Sequence, residues 1–173
     1  MQNREEVTGA LQEAATLIAT EADPRLIPAR GGIRMGYALP GATVVNDVCA
    51  LDGGIVQPFS SAVTARFGTD AGVARVLLTI IRHEGCLRSV AALRCTPDIL
   101  HCVTDDLALD ACAYPPSPPG SGTMDWGVES CCRDGVPDVI YLRKTTGTDP
   151  FLWIITETPA DVARTIRMLS GLW

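Results

Sequence analysis

Three stretches constrain the fold more than anything else in the sequence: LRSVAALRC (87–95), VPDVIYL (136–142) and FLWIITE (151–157). Each carries apolar residues at successive positions rather than at alternate ones. A strand with one wet face alternates, whereas a strand buried on both faces does not. Helical patterns separate these strands, so the expected architecture is an α/β layered sandwich, with helices packed on a central mixed sheet. The helices are legible by period. Residues 4–20 place Val7, Leu11, Ala14 or Ala15, and Ile18 on one face. From Thr69 to about His83, Val73, Val76, Leu77, Ile80 and Ile81 repeat in the same way. TPDILHCV starts a helix with Thr96 as N-cap and Pro97 in the first turn. TPADVARTIRMLSGLW closes the chain behind a Thr158/Asp161 capping pattern.

The remaining segments are less regular. LALDACAY (107–114) alternates and reads as a strand, and TVVNDVCAL (43–51) is open between strand and short helix. PPSPPGSG (115–122) reads as a mobile surface loop. TMDWGVESCCRDG reads as a short helix with Thr123 as N-cap and Gly135 as its stop. The 173 residues suit one domain, 1–173, with no internal repeat.

Charge excludes one broad class. Asp and Glu number 20 against 14 Lys and Arg, a net charge of −6. Gripping nucleic acid needs a basic surface, so DNA is not expected as a direct partner. A small anion remains compatible, because a pocket can be positive while the whole is negative. The N-terminus lacks a signal-peptide core, and no apolar run reaches the ~18 residues of a membrane span. The expectation is a cytoplasmic protein without membrane contact. Seven cysteines with no C-x-x-C pair, and only two histidines, do not suggest a zinc site. They read as free thiols in a reducing compartment.

Candidate chemistry gathers in four places. The helix start at Gly68 and Thr69, with Arg75 one turn in, offers free N–H groups to an anion. Yet Gly72 stands in its first turn, at a cost of about 1 kcal/mol relative to Ala, and gives a ligand no side chain. RKTTGTDP (143–150) combines cations, hydroxyls and a glycine, including Lys144, Thr146 and Gly147, as a phosphate-cradling loop does. Arg94 ends an apolar strand and wants an anionic partner. Met124 and Trp126 can flank a flat ring, with Asp125 or Asp47 accepting from an exocyclic amine. Each feature also has an ordinary structural reading: a capped helix, a polar connection, a protein carboxylate, a core tryptophan.

Taken together, several segments resemble the ThiN-type thiamine-phosphate synthase domain of archaea and some bacteria. They are GYALPGA (36–42), DVCALDGGIV (47–56), FGTDAGVARVLL (67–78), LRSVAALRC, TMDWGV and VPDVIYLRKTTGTDPFLWII (136–155), in family order. The resemblance covers nearly the whole chain. It implies joining of a hydroxymethylpyrimidine diphosphate to a thiazole phosphate, with loss of pyrophosphate. It also implies departures. Where the enzymes carry an Arg and a His, this chain has Gly54 and Gly72. Arg34 replaces a family Asn, and TTGTDP replaces a Gly-rich run.

Losing one donor aimed at transition-state charge costs about 100- to 1000-fold. The expectation is therefore a binding domain for thiamine phosphate or diphosphate, with or without Mg, and with no catalytic residue and no required cofactor. ThiN-type domains also occur behind a helix-turn-helix in archaeal regulators. That implies the effector-binding part of a homodimeric transcriptional regulator of thiamine biosynthesis, reaching DNA only through a domain absent from this chain. The alternative is an active synthase in which Arg34, Arg66 or Arg75 substitutes for the lost Arg. The two glycines are expected to leave space for a second phosphate.

Overall fold

The computed structural model describes residues 1–56, 63–114, 124–143 and 149–172, with the backbone alone at Met124 and Asp125. Among the described residues, seven strands form one sheet: β1 (Arg34–Ala38), β2 (Val48–Leu51), β3 (Ala65–Phe67), β4 (Ser89–Arg94), β5 (Ala111–Ala113), β6 (Val139–Leu142) and β7 (Phe151–Thr156). Their order is β3-β2-β1-β4-β7-β6-β5. All neighbours are antiparallel except β5 and β6, so the sheet is mixed, as expected.

The α-helices of the described residues cover it: α1 (Arg4–Glu21), α2 (Ala71–His83), α3 (Pro97–His101), α4 (Met124–Cys132) and α5 (Pro159–Ser170). Alternation along the strands sorts the core into two layers. Met35, Tyr37, Ala91, Leu93, Leu152 and Ile154 pack with Leu11 and Ile18 of α1, Ile99 of α3 and Ile166 of α5. Val90, Ala92, Trp153 and Ile155 point the other way, against Val73, Val76, Leu77 and Ile80 of α2 and Val128 of α4. The double burial read from the sequence follows from helices on both faces. Gly36 sets the approach of α2, since a Cβ there would lie 2.4 Å from Val73 Cγ1.

Local chemistry explains the ends. Asn3 and Glu6 form a capping box on α1, and the Thr96 and Thr158 hydroxyls cap α3 and α5. Helix α2 starts two residues later than its period suggests, because Asp70 rather than Thr69 accepts from the Val73 N–H. The strand expected over 107–114 shrinks to β5. A π-type turn at Cys102–Asp106 and a positive φ of 53° at Ala108 interrupt the segment before Ala111. The ambiguous stretch 43–51 is both things in turn: a 3-10 turn at Val45–Asp47, then β2.

The free-thiol expectation is corrected at one pair. Packing of α4 over β5 brings Cys112 and Cys131 together as a disulfide, with Cα atoms 5.9 Å apart. Separation of 19 residues in sequence gives no sign of it. Cys49, Cys95, Cys102 and Cys132 are buried free thiols and Cys86 an exposed one. Burial pushes Cys132 up to about 11. No helix among the described residues is long and apolar enough to cross a membrane. The Thr123 cap and the 115–122 loop lie outside the described residues.

Candidate ligand pocket

At one end of the sheet, β1 begins, β4 ends and β7 begins. The register aligns Arg34 with Ala92, Ala92 with Trp153, and Arg94 with Phe151. These five side chains therefore share a face, and they line a cavity of about 380 Å³. The segment Pro28–Arg30 with Gly32 closes one side, and Cys95, Thr96, Asp149 and Pro150 the other. The floor is apolar and aromatic. Phe151 meets Trp153 edge-on at 6.1 Å and Tyr114 edge-on at 5.8 Å. The small Ala92 leaves the space that a larger residue would fill.

Three arginines rim this floor. Arg34 is clamped: its Nε and Nη2 donate to the two carboxylate oxygens of Asp70 at 3.0 and 2.6 Å. Arg30 lies 3.9 Å from Asp149, with both side chains well exposed, a weak pair in water. Arg94 is exposed and has no hydrogen bond or ion pair among the described residues. Three cations against two carboxylates leave the rim net positive inside an acidic protein. Burial raises the Asp70 carboxyl, but the hydrogen bonds from Arg34 and from the Val73 N–H outweigh it and hold it below the usual carboxylate range. Trp153 is 1% exposed, and its Nε1–H has no acceptor among the described residues. Buried donors are nearly always paired, so this indole N–H is an exception within the α2-side core layer.

The structure brings only some of the sequence candidates to this pocket. Arg94 lines it. Arg75 is exposed on α2 and lies outside its walls. Gly68, at φ 72°, and Thr69 precede a helix start whose Val73 N–H donates to Asp70, and neither residue lines this pocket. Asp47 sits at the opposite end of the sheet, before the β2 residue that pairs with Ala38. Its carboxylate accepts from the Thr43 and Val44 N–H groups, which hold it below the ordinary range. Trp126 is half-buried on α4 and is not a pocket wall. Lys144, Thr146 and Gly147, and the side chains of Met124 and Asp125, lie outside the described residues. Asp149, next to the 144–148 stretch, is in the pocket rim.

Gly54 and Gly72 do not leave empty space. A Cβ at Gly54 would stand 1.8 Å from the Gly31 carbonyl oxygen, and one at Gly72 2.8 Å from Arg34 Nη2. The first volume is taken by backbone: Gly31 and Gly32, with φ 76° and 66°, run against the Ile55 backbone at the Ile33–Ile55 bridge. The second is taken by a guanidinium. The expected room for a second phosphate at these positions is therefore filled.

Arg30, Phe151 and Trp153 are not legible in the sequence as site residues. Only the pairing of β1, β4 and β7 assembles them. The nearest sequence signal is PARGGIR (28–34), with two arginines bracketing the glycine pair.

The described residues thus form a layered α/β fold with a cationic, aromatic-floored cavity at one end of the sheet. The chain itself belongs to the ThiN thiamine-phosphate synthase family, whose model matches residues 10–168. It is 24% identical over 177 aligned positions to the bifunctional thiamine biosynthesis protein ThiDN of Methanocaldococcus jannaschii. That match takes in 99% of this chain and 42% of the relative's length. It is 28% identical to the thiamine-phosphate synthase ThiN of Methanothermobacter thermautotrophicus over 130 residues, 68% of each chain. The fold matches the crystal structure of the C-terminal domain of phosphomethylpyrimidine kinase with TM-score 0.84, at 23% identity, covering 96% of this chain and all of that one. A more distant likeness, to an L-fuculose-1-phosphate aldolase from Thermus thermophilus, has TM-score 0.56 at 9% identity, covering 97% of this chain and 91% of that one.

Proposed function

We propose that this domain binds thiamine phosphates in the β1/β4/β7 pocket, as a sensor rather than as an efficient catalyst. The observation that carries the reading is the pairing of an arginine rim with an aromatic floor in one cavity. Guanidinium groups suit phosphate, and Phe151 and Trp153 suit a flat heterocycle. The glycines support the non-catalytic part. At position 54 the Gly31 carbonyl blocks any side chain, so the donor implied there by the family resemblance has no place to stand.

Arg34 supports a second reading, a slow thiamine-phosphate synthase, because it brings a cation to the pocket beside Gly72. One experiment separates the two. Calorimetric titration with thiamine phosphate is followed by an assay of the same sample with hydroxymethylpyrimidine diphosphate and thiazole phosphate. Binding without turnover supports the sensor. Turnover at an enzyme-like rate establishes the synthase, and absence of both rejects the pocket assignment.

A further inference from the structure

Position 72 lacks a side chain, and the Arg34 guanidinium lies against the gap. We propose that Arg34 and Gly72 form a matched pair: Gly72 keeps the start of α2 clear so that Asp70 can clamp Arg34 with its remaining nitrogen presented to the ligand phosphate. This rests on the ligand reading above and specifies which cation does the recognising.

Three arginines are candidates to replace the missing donor, and the structure separates them. Arg66 pairs with Asp52, with side chains 62% and 47% exposed, and is not a pocket wall. Arg75 is exposed on α2, also outside the walls. Arg34 lines the pocket, and its side chain is 33% exposed. Two of its nitrogens are fixed by Asp70, and Nη1 has no partner among the described residues. A fixed guanidinium loses little freedom on binding, so its remaining N–H groups act as preorganised donors.

Asp70 does not simply cancel the charge. Its Oδ1 also accepts from the Val73 N–H at 3.1 Å, so the positive end of α2 shares the carboxylate with Arg34. Any side chain at residue 72 disturbs this arrangement. Its Cβ would stand 2.8 Å from Nη2 and 3.4 Å from Asp70 Oδ1. The helix-propensity penalty of Gly72 thereby has a local purpose: the position is vacant because a neighbour from β1 fills it.

The test is calorimetry on the full chain with thiamine phosphate and with unphosphorylated thiamine, checked by thermal melts. Arg34→Gln is expected to weaken thiamine phosphate by about 10- to 100-fold and to move thiamine by less than about threefold. Arg34→Lys keeps the charge without the fork and falls between. Gly72→Ala weakens thiamine phosphate in the parent but adds nothing in the Arg34→Gln background, the non-additivity that a shared contact requires. Unchanged thiamine-phosphate affinity in Arg34→Gln, equal loss of both ligands, or additive Gly72→Ala effects overturn the pairing. If the parent binds neither thiamine compound, the ligand reading fails by itself. Inorganic pyrophosphate is then the probe: Arg34-dependent binding upholds the pair, and Arg34-independent binding or none rejects it.

Discussion

Strand β4 has an arginine at each end, and the two have opposite fates. Arg88, just before the strand, donates through Nη2 to the Tyr37 hydroxyl at 2.6 Å and to the Gln2 side-chain carbonyl, and its guanidinium lies 4.8 Å from the Tyr37 ring centre. Tyr37 is 2% exposed, and its hydroxyl also donates to Gln2. Arg94, at the other end, is exposed on a cavity wall without a protein partner among the described residues. One end of the sheet closes its polar network internally, with Asp47 capping the neighbouring turn. The other end leaves cations open around an aromatic floor. The contrast teaches that an arginine's residue type says little until its donors are accounted for.

Breaking the contrast should separate stability from binding. The largest effect is expected at Gly54. Gly54→Ala forces a Cβ into the Gly31 carbonyl and should cost about 3 kcal/mol, read as a lowered urea midpoint. Arg88→Ala should cost about 2 kcal/mol by stripping the Tyr37 and Gln2 contacts, yet leave thiamine-phosphate Kd unchanged by calorimetry. Arg94→Ala should do the reverse. It should weaken thiamine phosphate about tenfold while stability stays within about 0.5 kcal/mol.

The smallest effect is in acid. The folded-state pKa of Asp70 lies below its unfolded value, so its stabilising contribution is present above the ordinary carboxylate pKa and is lost as pH falls through the depressed one. Asp70→Asn should therefore flatten the acid limb of the melting curve below about pH 4. A variant whose curve overlays that of the parent would show that the clamp carries no linkage.

The same contrast explains what sequence can and cannot reveal. The period of α2, the apolar runs of β4, β6 and β7, and the threonine caps at 96 and 158 depend on neighbours in sequence, and they are legible there. Thr69 and Asp70 are both capping types, so the true start of α2 depends on which oxygen the folded turn aims at the Val73 N–H. Arg88 and Arg94 frame one segment, and nothing local distinguishes them. The pocket depends on register: Arg34 meets Ala92, and Ala92 meets Trp153, across more than half the chain. The crowding at Gly54 depends on a backbone approach between Gly31 and Ile55 that no local pattern announces.

The strand order has a consequence for how the protein opens. Strands β1 to β3 form one half of the sheet and β5 to β7 the other, and β4 alone joins them. Its six-residue ladder to β7 is a seam that holds the halves together. Amide hydrogens along this seam should exchange with deuterium only on global unfolding, whereas those of the outer strand β3 exchange through local opening. Because Ala92, Arg94, Phe151 and Trp153 lie on the seam, an occupied pocket staples the two halves together. Ligand should thus slow exchange most in the strands that are already slowest, coupling occupancy to the integrity of the whole sheet.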